Sequence, residues 1–208
     1  TLTGSVDGNV DVNAGGELTL GSAERIADGS NLNVDGILNT NGEEAVNSLT
    51  ATGTINGEGT VSALTTDLTD ATVNANLGDG ELTSNGETNF NGNAAAGTVT
   101  VAGGTLTLDG ALTNNAATVN VEAGTLAANG TIAASSINVQ DGATLTTGEA
   151  ERLNNSVALN ADGTVSLGGN ETIGDLSGSG TIANNGNDLT VNQTSDQEFS
   201  GNITGAGG

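Results

Sequence analysis

Apolar and polar residues alternate in short runs that glycine separates, and residues 97–110 show this pattern most clearly. Val99 and Val101 are the apolar positions of one run, and Leu106 and Leu108 are those of the next, after a turn at two glycines. Such alternation predicts half-buried β-strands, and the glycines predict the turn between them. The same phrase returns at residues 10–12 with 18–20, at 119–121 with Leu126, and at 137–139 with Leu145.

The spacing of this phrase predicts a solenoid. Val99 and Val119 are about 20 residues apart, and Val119 and Ile137 are about 18 residues apart, which suits one coil of a parallel β-solenoid. We therefore predict an all-β fold, a single-stranded parallel β-helix of about ten coils of 18–20 residues, roughly 50 Å long at the usual strand spacing. The predicted inward positions are Val10, Val12, Leu18, Leu32, Val34, Leu49, Val99, Val101, Leu106, Val119, Val121, Leu126, Ile137, Val139, Leu145, Leu159, Val165, Ile173, Leu176, Ile182 and Leu189.

A longer repeat lies over the coils. Residues 15–55 align without a gap on residues 142–182 at an offset of 127, with roughly 17 of the 41 positions identical. Both arginines of the chain, Arg25 and Arg152, fall at equivalent positions. We interpret the alignment as an internal duplication of about two coils within one continuous β-helix that spans residues 1–208.

Composition supports a thin, repetitive core. Aromatic residues are 1% of the chain, which has no Pro, Cys, Met, Trp, Tyr or His, whereas glycine occurs 34 times. Stability must then come from many small aliphatic and threonine contacts, which a solenoid interior provides. An acidic disordered segment is the alternative, and the regular alternation between glycines argues against it.

Charge excludes two classes of partner. The net charge is −23, from 25 acidic residues against two arginines, with no lysine. Phosphate backbones and anionic lipids would repel such a surface, so we expect no nucleic-acid binding. No apolar run approaches the roughly 20 residues of a membrane span, and we expect no membrane insertion.

The C-terminal third carries a family phrase. It contains Glu151-Arg152-Leu153, an alternating strand, Gly168-Gly169, then Ile173-Gly-Asp-Leu-Ser-Gly-Ser-Gly180 and Phe199-Ser-Gly-Asn-Ile-Thr-Gly-Ala-Gly207. Residues 142–208 thereby resemble the passenger-associated transport repeat of bacterial autotransporters and related surface β-helix proteins. The resemblance implies a right-handed parallel β-helix that is exported to the bacterial cell surface, with the repeat assisting export and folding.

The acidic residues offer few candidates for chemistry. Ser-His and Cys-His pairs cannot be built, and the carboxylate pairs Glu43–Glu44, Asp67–Asp70 and Glu149–Glu151 lack an aromatic or cationic surface to grip a sugar. Asp79, Glu81, Asp141 and Asp162 lie at turns where carboxylates suit weak calcium binding, although Asp-Gly is first of all a turn dipeptide. We expect no other cofactor.

Two structural interactions are predicted instead. We expect Arg25 to pair with Glu24 or Glu44, and Arg152 with Glu151 or Glu171, since these residues recur together at the 127-residue offset. Asparagine-rich turns such as Asn114-Asn115 and Asn184-Asn185 favour ladders of amides between coils. We prefer this interpretation to glycosylation at Asn129, Asn154, Asn170, Asn192 or Asn202, whose sequon is expected by chance in a chain so rich in Asn and Thr.

These observations favour a non-enzymatic, extracellular structural β-helix of a bacterial surface protein, an adhesin stalk or passenger-like scaffold. The first alternative is a subunit of a head-to-tail extracellular filament, because uncapped solenoid ends would favour self-association. Continuation into a longer chain is the other interpretation of such ends. The second alternative is a carbohydrate-active β-helix, which would need acids that converge in a cleft.

Overall fold

The computed structural model describes residues 1–208 and contains β-strands without any helix. In chain order the strands are β1 Val10–Val12, β2 Glu17–Thr19, β3 Asn31–Val34, β4 Ile37–Thr40, β5 Glu43–Ala51, β6 Thr54–Gly57, β7 Thr60–Thr69, β8 Thr72–Val73, β9 Asn76–Leu77, β10 Glu81–Asn85, β11 Glu87–Phe90, β12 Thr98–Val101, β13 Thr105–Leu108, β14 Leu112–Val121, β15 Thr125–Ala128, β16 Ile132–Val139, β17 Thr144–Thr147, β18 Ala158–Ala161, β19 Thr164–Ser166, β20 Glu171–Ile173, β21 Leu176–Ser177, β22 Thr181–Ala183, β23 Leu189–Val191 and β24 Asn202–Thr204. No helix able to cross a lipid bilayer is present.

Two long sheets wind around one axis. The first sheet runs β1-β3-β5-β7-β10-β12-β14-β16-β18-β21, with β9 paired to β7, and the second runs β2-β4-β6-β8-β11-β13-β15-β17-β19-β22-β24. Every strand pairing is parallel, because each turn of the chain returns to the same face one coil further along. The chain is a parallel β-helix of about 11 turns, which confirms the predicted fold class.

A third face closes the coil. Its inward column is marked by parallel bridges that connect Leu77 to Ala94, Ala94 to Leu112 and Ile132 to Leu153, and in some coils a second buried residue follows two positions later. The long strands β5, β7, β14 and β16 bend from this face into the first sheet. Apart from Ile173 and Leu189, the residues of this face were not among the predicted inward positions, because many of them are alanines, which mark an apolar alternation only weakly.

The core is a single cluster of 46 buried hydrophobic residues. Most of the predicted inward positions belong to it, whereas Val10, Leu18 and Leu189 in the outermost coils are only partly buried and pack against it. Phe90 is the one fully buried aromatic side chain, stacked between Val73 and Leu108 of the adjacent coils.

Coil length varies more than the sequence predicts. Paired residues are separated by 16 positions at Thr60 and Asn76, and by 22 at Val10 and Leu32. The predicted range of coil lengths was therefore too narrow. The inward columns must keep their register, so the corners absorb the difference, as in the shift of pairing after Leu112 between β14 and β16.

Glycine stacks allow the corners to approach closely. A Cβ on Gly110 would collide with the carbonyl oxygen of Gly92, and one on Gly130 would collide with that of Gly110. No other residue fits at this corner, because the backbones of successive coils touch there.

Candidate functional site

Two buried glutamates interrupt the aliphatic column of the third face. Glu44 is 2% exposed and Glu171 is 1% exposed, and they lie 127 positions apart in the duplicated blocks. Glu44 is paired with Val61 of the next coil, and Glu171 with Leu189. A buried carboxylate must find hydrogen-bond donors, so the question is which groups supply them.

Backbone N–H groups of the preceding coil supply the donors. The N–H of Arg25 donates to Glu44 Oε2 at 2.9 Å, and that of Ile26 donates to Oε1 at 2.5 Å. In the second block the N–H of Arg152 donates to Glu171 Oε1 at 2.9 Å, and that of Leu153 donates to Oε2 at 3.2 Å. Each carboxylate therefore uses both oxygens to join two coils.

A left-handed glutamate creates each of these sites. Glu24 and Glu151 have φ angles of 52° and 53°, a conformation that L-residues seldom adopt. Their own N–H groups donate to the carbonyls of Glu43 and Asn170, which turns the next two N–H groups toward one carboxylate. Successive N–H groups beside a left-handed residue form an anion-binding nest. We call residues 24–26 the first nest and residues 151–153 the second nest.

The arginine side chains do not take the predicted partners. The Arg25 guanidinium donates to the carbonyls of Ala23 and Thr3, while its backbone N–H binds Glu44. The Arg152 guanidinium forms its salt bridge with Glu149 at 3.2 Å, rather than with Glu151 or Glu171. Arginine and glutamate do meet at each corner, but the donor is the backbone N–H of the arginine and not its guanidinium, as had been predicted.

Burial sets the electrostatics of the second nest. Loss of solvent raises the pKa of Glu171 above its usual 4.5, and the charge of Glu151 raises it further. The N–H groups of Arg152 and Leu153 lower the pKa but do not cancel the effect of burial. In the first nest, burial and the charges of Asp28 and Glu44 raise the pKa of Glu24.

The calcium candidates separate into two places. Asp141 and Asp162 line one polar hollow of about 790 Å³, whereas Asp79 borders a different hollow and Glu81 begins β10. Asp162 Oδ1 accepts hydrogen bonds from the N–H and hydroxyl of Ser179, which lower its pKa below the usual 3.8. No group of three or more His, Cys, Asp or Glu side chains is arranged to hold a metal ion.

An asparagine ladder runs along the outside of the second sheet. Asn56 donates to Asn39 Oδ1, Asn74 donates to Asn56 Oδ1 at 2.7 Å, and Asn91 donates to Asn74 Oδ1 at 2.6 Å. The predicted kind of interaction is therefore present at different residues. Asn114 and Asn185, which were predicted to stack, donate instead to Ala95 O and to Leu167 O with Ser166 Oγ.

A neutral field covers part of the second sheet. The strands β13, β15, β17, β19 and β22 contain no charged residue in a protein of net charge −23. Their outward positions are Thr105, Thr107, Thr125, Ala127, Thr144, Thr146, Thr164, Ser166, Thr181 and Ala183, in register from coil to coil.

Comparison of the chain with known proteins identifies no relative. No protein-family model matches the chain, and neither a curated protein nor a solved structure does.

Proposed function

We propose that this protein is a non-enzymatic, extracellular structural β-helix of a bacterial surface protein, an adhesin stalk or passenger-like scaffold. The single observation that carries the proposal is the unbroken core, one cluster of 46 residues that extends from the first coils to the last. A rod of this kind holds its two ends a fixed distance apart, which is what a stalk must do.

The ionisable residues support a structural role. Glu44 and Glu171 are buried in their nests, and Asp175 holds the segment at Thr194 and Ser195 through both carboxylate oxygens. Glu149 is engaged by Arg152, and Glu151 accepts a hydrogen bond from Thr172. All of these acids except Glu149 connect one coil to the next, and this use favours the stalk over the carbohydrate-active alternative.

The resemblance of residues 142–208 to the passenger-associated transport repeat supports the cell-surface part of the proposal. The second nest provides a physical basis for the Glu-Arg-aliphatic phrase, because the turn needs a left-handed glutamate followed by two free N–H groups. The neutral field is the face on which another surface would meet the least charge.

The head-to-tail filament is the second candidate, and one observation favours it. Strand β24 pairs only with β22, and Ile203 on β24 is 52% exposed. A further strand can add by β-pairing to an edge with an exposed aliphatic side chain, and the filament is the case in which a second copy supplies that strand.

Electron microscopy and analytical ultracentrifugation of purified residues 1–208, at increasing concentration and with or without calcium, separate the candidates. Short rods about 50 Å long that remain monomeric support the stalk. Fibres would replace it with the filament, and reducing sugar released from polysaccharides would replace it with the enzyme. Antibody labelling of intact source cells tests the location, and a signal only after lysis would contradict it.

A further inference from the structure

Six Asn-Gly dipeptides occur in this chain, and the structure treats one of them differently. They are Asn41-Gly42, Asn56-Gly57, Asn85-Gly86, Asn91-Gly92, Asn129-Gly130 and Asn185-Gly186. An asparagine followed by glycine can cyclise when the glycine nitrogen reaches the side-chain carbon Cγ, since glycine presents no side chain to obstruct the approach. The position of that nitrogen and the hydrogen bonds of the amide therefore decide which dipeptide reacts.

In five of the dipeptides the side-chain amide is held by another group. Asn56, Asn91 and Asn129 donate to Asn39, Asn74 and Asp109 in the coil before them. The other two amides, of Asn41 and Asn185, donate to the carbonyls of Gly21 and Leu167. After Asn91 and Asn129 the glycine nitrogen is held as well, because it donates to the carbonyl of Val73 or of Leu108.

At Asn85 the side-chain amide nitrogen is free, and the glycine N–H is held by the side chain that it would attack. Its Nδ2 donates no hydrogen bond, and the Gly86 N–H donates to Asn85 Oδ1 of the same dipeptide at 3.0 Å. Because Oδ1 is bonded to Cγ, this hydrogen bond keeps the Gly86 nitrogen beside the side-chain carbonyl group that it would attack. Asn85 is exposed at the corner between β10 and β11, where water and hydroxide have access.

The preceding coil fixes this corner from both sides. The N–H of Asp70 donates to the carbonyl of Asn85 at 3.2 Å, and Asp70 Oδ1 accepts the N–H of Glu87 at 2.8 Å. Gly86 has a φ of 70°, which favours glycine, and a Cβ there would meet the Asp70 carboxylate. The reacting atoms are thus positioned by contacts on both sides of the dipeptide rather than by the dipeptide alone.

We propose that Asn85-Gly86 is a site of spontaneous modification, at which the chain converts Asn85 to aspartate and isoaspartate through a succinimide. Hydroxide removes the proton from the Gly86 nitrogen, and the nitrogen forms a bond to Asn85 Cγ. The bond from Cγ to Nδ2 breaks, and Nδ2 leaves as ammonia after taking up a proton. One water molecule then opens either carbonyl of the ring, and no oxidant or reductant is needed.

The modification changes the corner electrostatically and sterically. Each event adds a carboxylate beside those of Asp70 and Glu87, which repel it. The isoaspartate product also places an extra methylene in the main chain between β10 and β11. The fraction of molecules modified at Asn85 therefore increases with the age of the protein, and measuring that fraction gives the age.

The test is a time course of the folded protein in mildly alkaline buffer, with peptide mass spectrometry to locate each converted asparagine. The other five dipeptides are internal controls in the same molecule. We expect Asn85 to convert at least about tenfold faster than Asn91 and Asn129, since positioning of the reacting atoms sets the rate. In denaturant this advantage should disappear. Equal rates in the folded protein, or a faster conversion at any other dipeptide, would overturn the proposal.

Hydroxylamine provides a second readout because it cleaves the chain at a succinimide. The folded protein should yield fragments that end at Asn85 and begin at Gly86. Asn85→Gln should abolish this cleavage, and the matched variant Asn129→Gln should leave it unchanged. Cleavage that persists in Asn85→Gln would place the reactive site elsewhere.

Discussion

Residues 15–55 and 142–182 build the same two-coil unit twice, yet they use their arginines differently. Both blocks keep the left-handed glutamate, the two N–H donors and the buried carboxylate. Only the second block adds a salt bridge, because Glu149 stands where the first block has Ser22. The comparison shows that the nest is the common element of the unit, whereas the surface ion pair is an addition to it.

Removing the buried carboxylates should have the largest effect. Glu44→Ala and Glu171→Ala each leave two N–H groups without an acceptor, and we expect each to lower the free energy of unfolding by about 3 to 5 kcal/mol. Chemical denaturation measures the loss, and amide exchange should accelerate at the two N–H groups of the altered nest. A loss in only one block would show that the two nests are not equivalent.

Glycine at the left-handed positions should have a smaller effect of opposite sign. Glu24→Gly relieves a conformation that costs an L-residue about 1–2 kcal/mol, less the entropy that glycine loses, so we expect a gain of about 0.5 to 1 kcal/mol. Glu151→Gly should gain less, because it also removes the hydrogen bond from Thr172. Thermal unfolding of the two variants tests the order, and a clear destabilisation by Glu24→Gly would contradict the strain argument.

The surface ion pair should matter less. Glu149→Ala should lower the free energy of unfolding by about 0.5 kcal/mol or less, since exposed pairs contribute little, and salt should remove the difference. Ser22→Glu would introduce an acid at the equivalent position of the first block, and we expect a gain of the same small size. A double-mutant cycle with Arg152→Ala isolates the pair, and a coupling that is insensitive to salt would contradict its assignment as a surface interaction.

The smallest effects concern pH, and they have opposite signs. Hydrogen bonds hold the pKa of Asp162 below 3.8, so its contribution is present above that pH and is lost as the pH falls through the lowered value. Burial raises the pKa of Glu171 above 4.5, so its ionisation opposes folding and protonation relieves this as the pH falls toward 4.5. Unfolding free energies measured against pH should therefore show a weaker acid loss in Asp162→Asn. If Asp162→Asn lost as much unfolding free energy at acid pH as the unmodified protein, the lowered pKa of Asp162 would be contradicted.

The sequence predicted the two alternating faces but not the third. Val99 with Val101 and Leu106 with Leu108 state a period of two, and the structure places all four in the core. Ala94 and Ile132 in the third column are each followed two positions later by a buried alanine only, so the apolar alternation there is weak. The variation in coil length could not be predicted either, because the corners have no apolar alternation that would mark their length.

The sequence predicted which residues meet at the nests but not which of their atoms form the hydrogen bonds. The 127-residue offset identified Glu44 and Glu171 as partners of Arg25 and Arg152. Opposite charge suggested a guanidinium, but the donors are backbone N–H groups that every residue carries, so the sequence letters could not identify them. A sequence signal for the nests does exist, namely an acidic residue in an otherwise apolar column, but it can be recognised only after the coils have been aligned.

The orientation of the hydrogen bonds determines how this rod responds to force. Bonds between parallel strands of successive coils point along the long axis, so tension applied at one end loads the bonds of one coil before those of the next. The rod would extend in steps, each releasing one coil of slack chain, and the steps would differ in length because the coils do. Detaching the coil that contains Glu44 or Glu171 also pulls a carboxylate out of its nest, so those two steps would need the highest force. Unfolding under tension would therefore pause at these two coils.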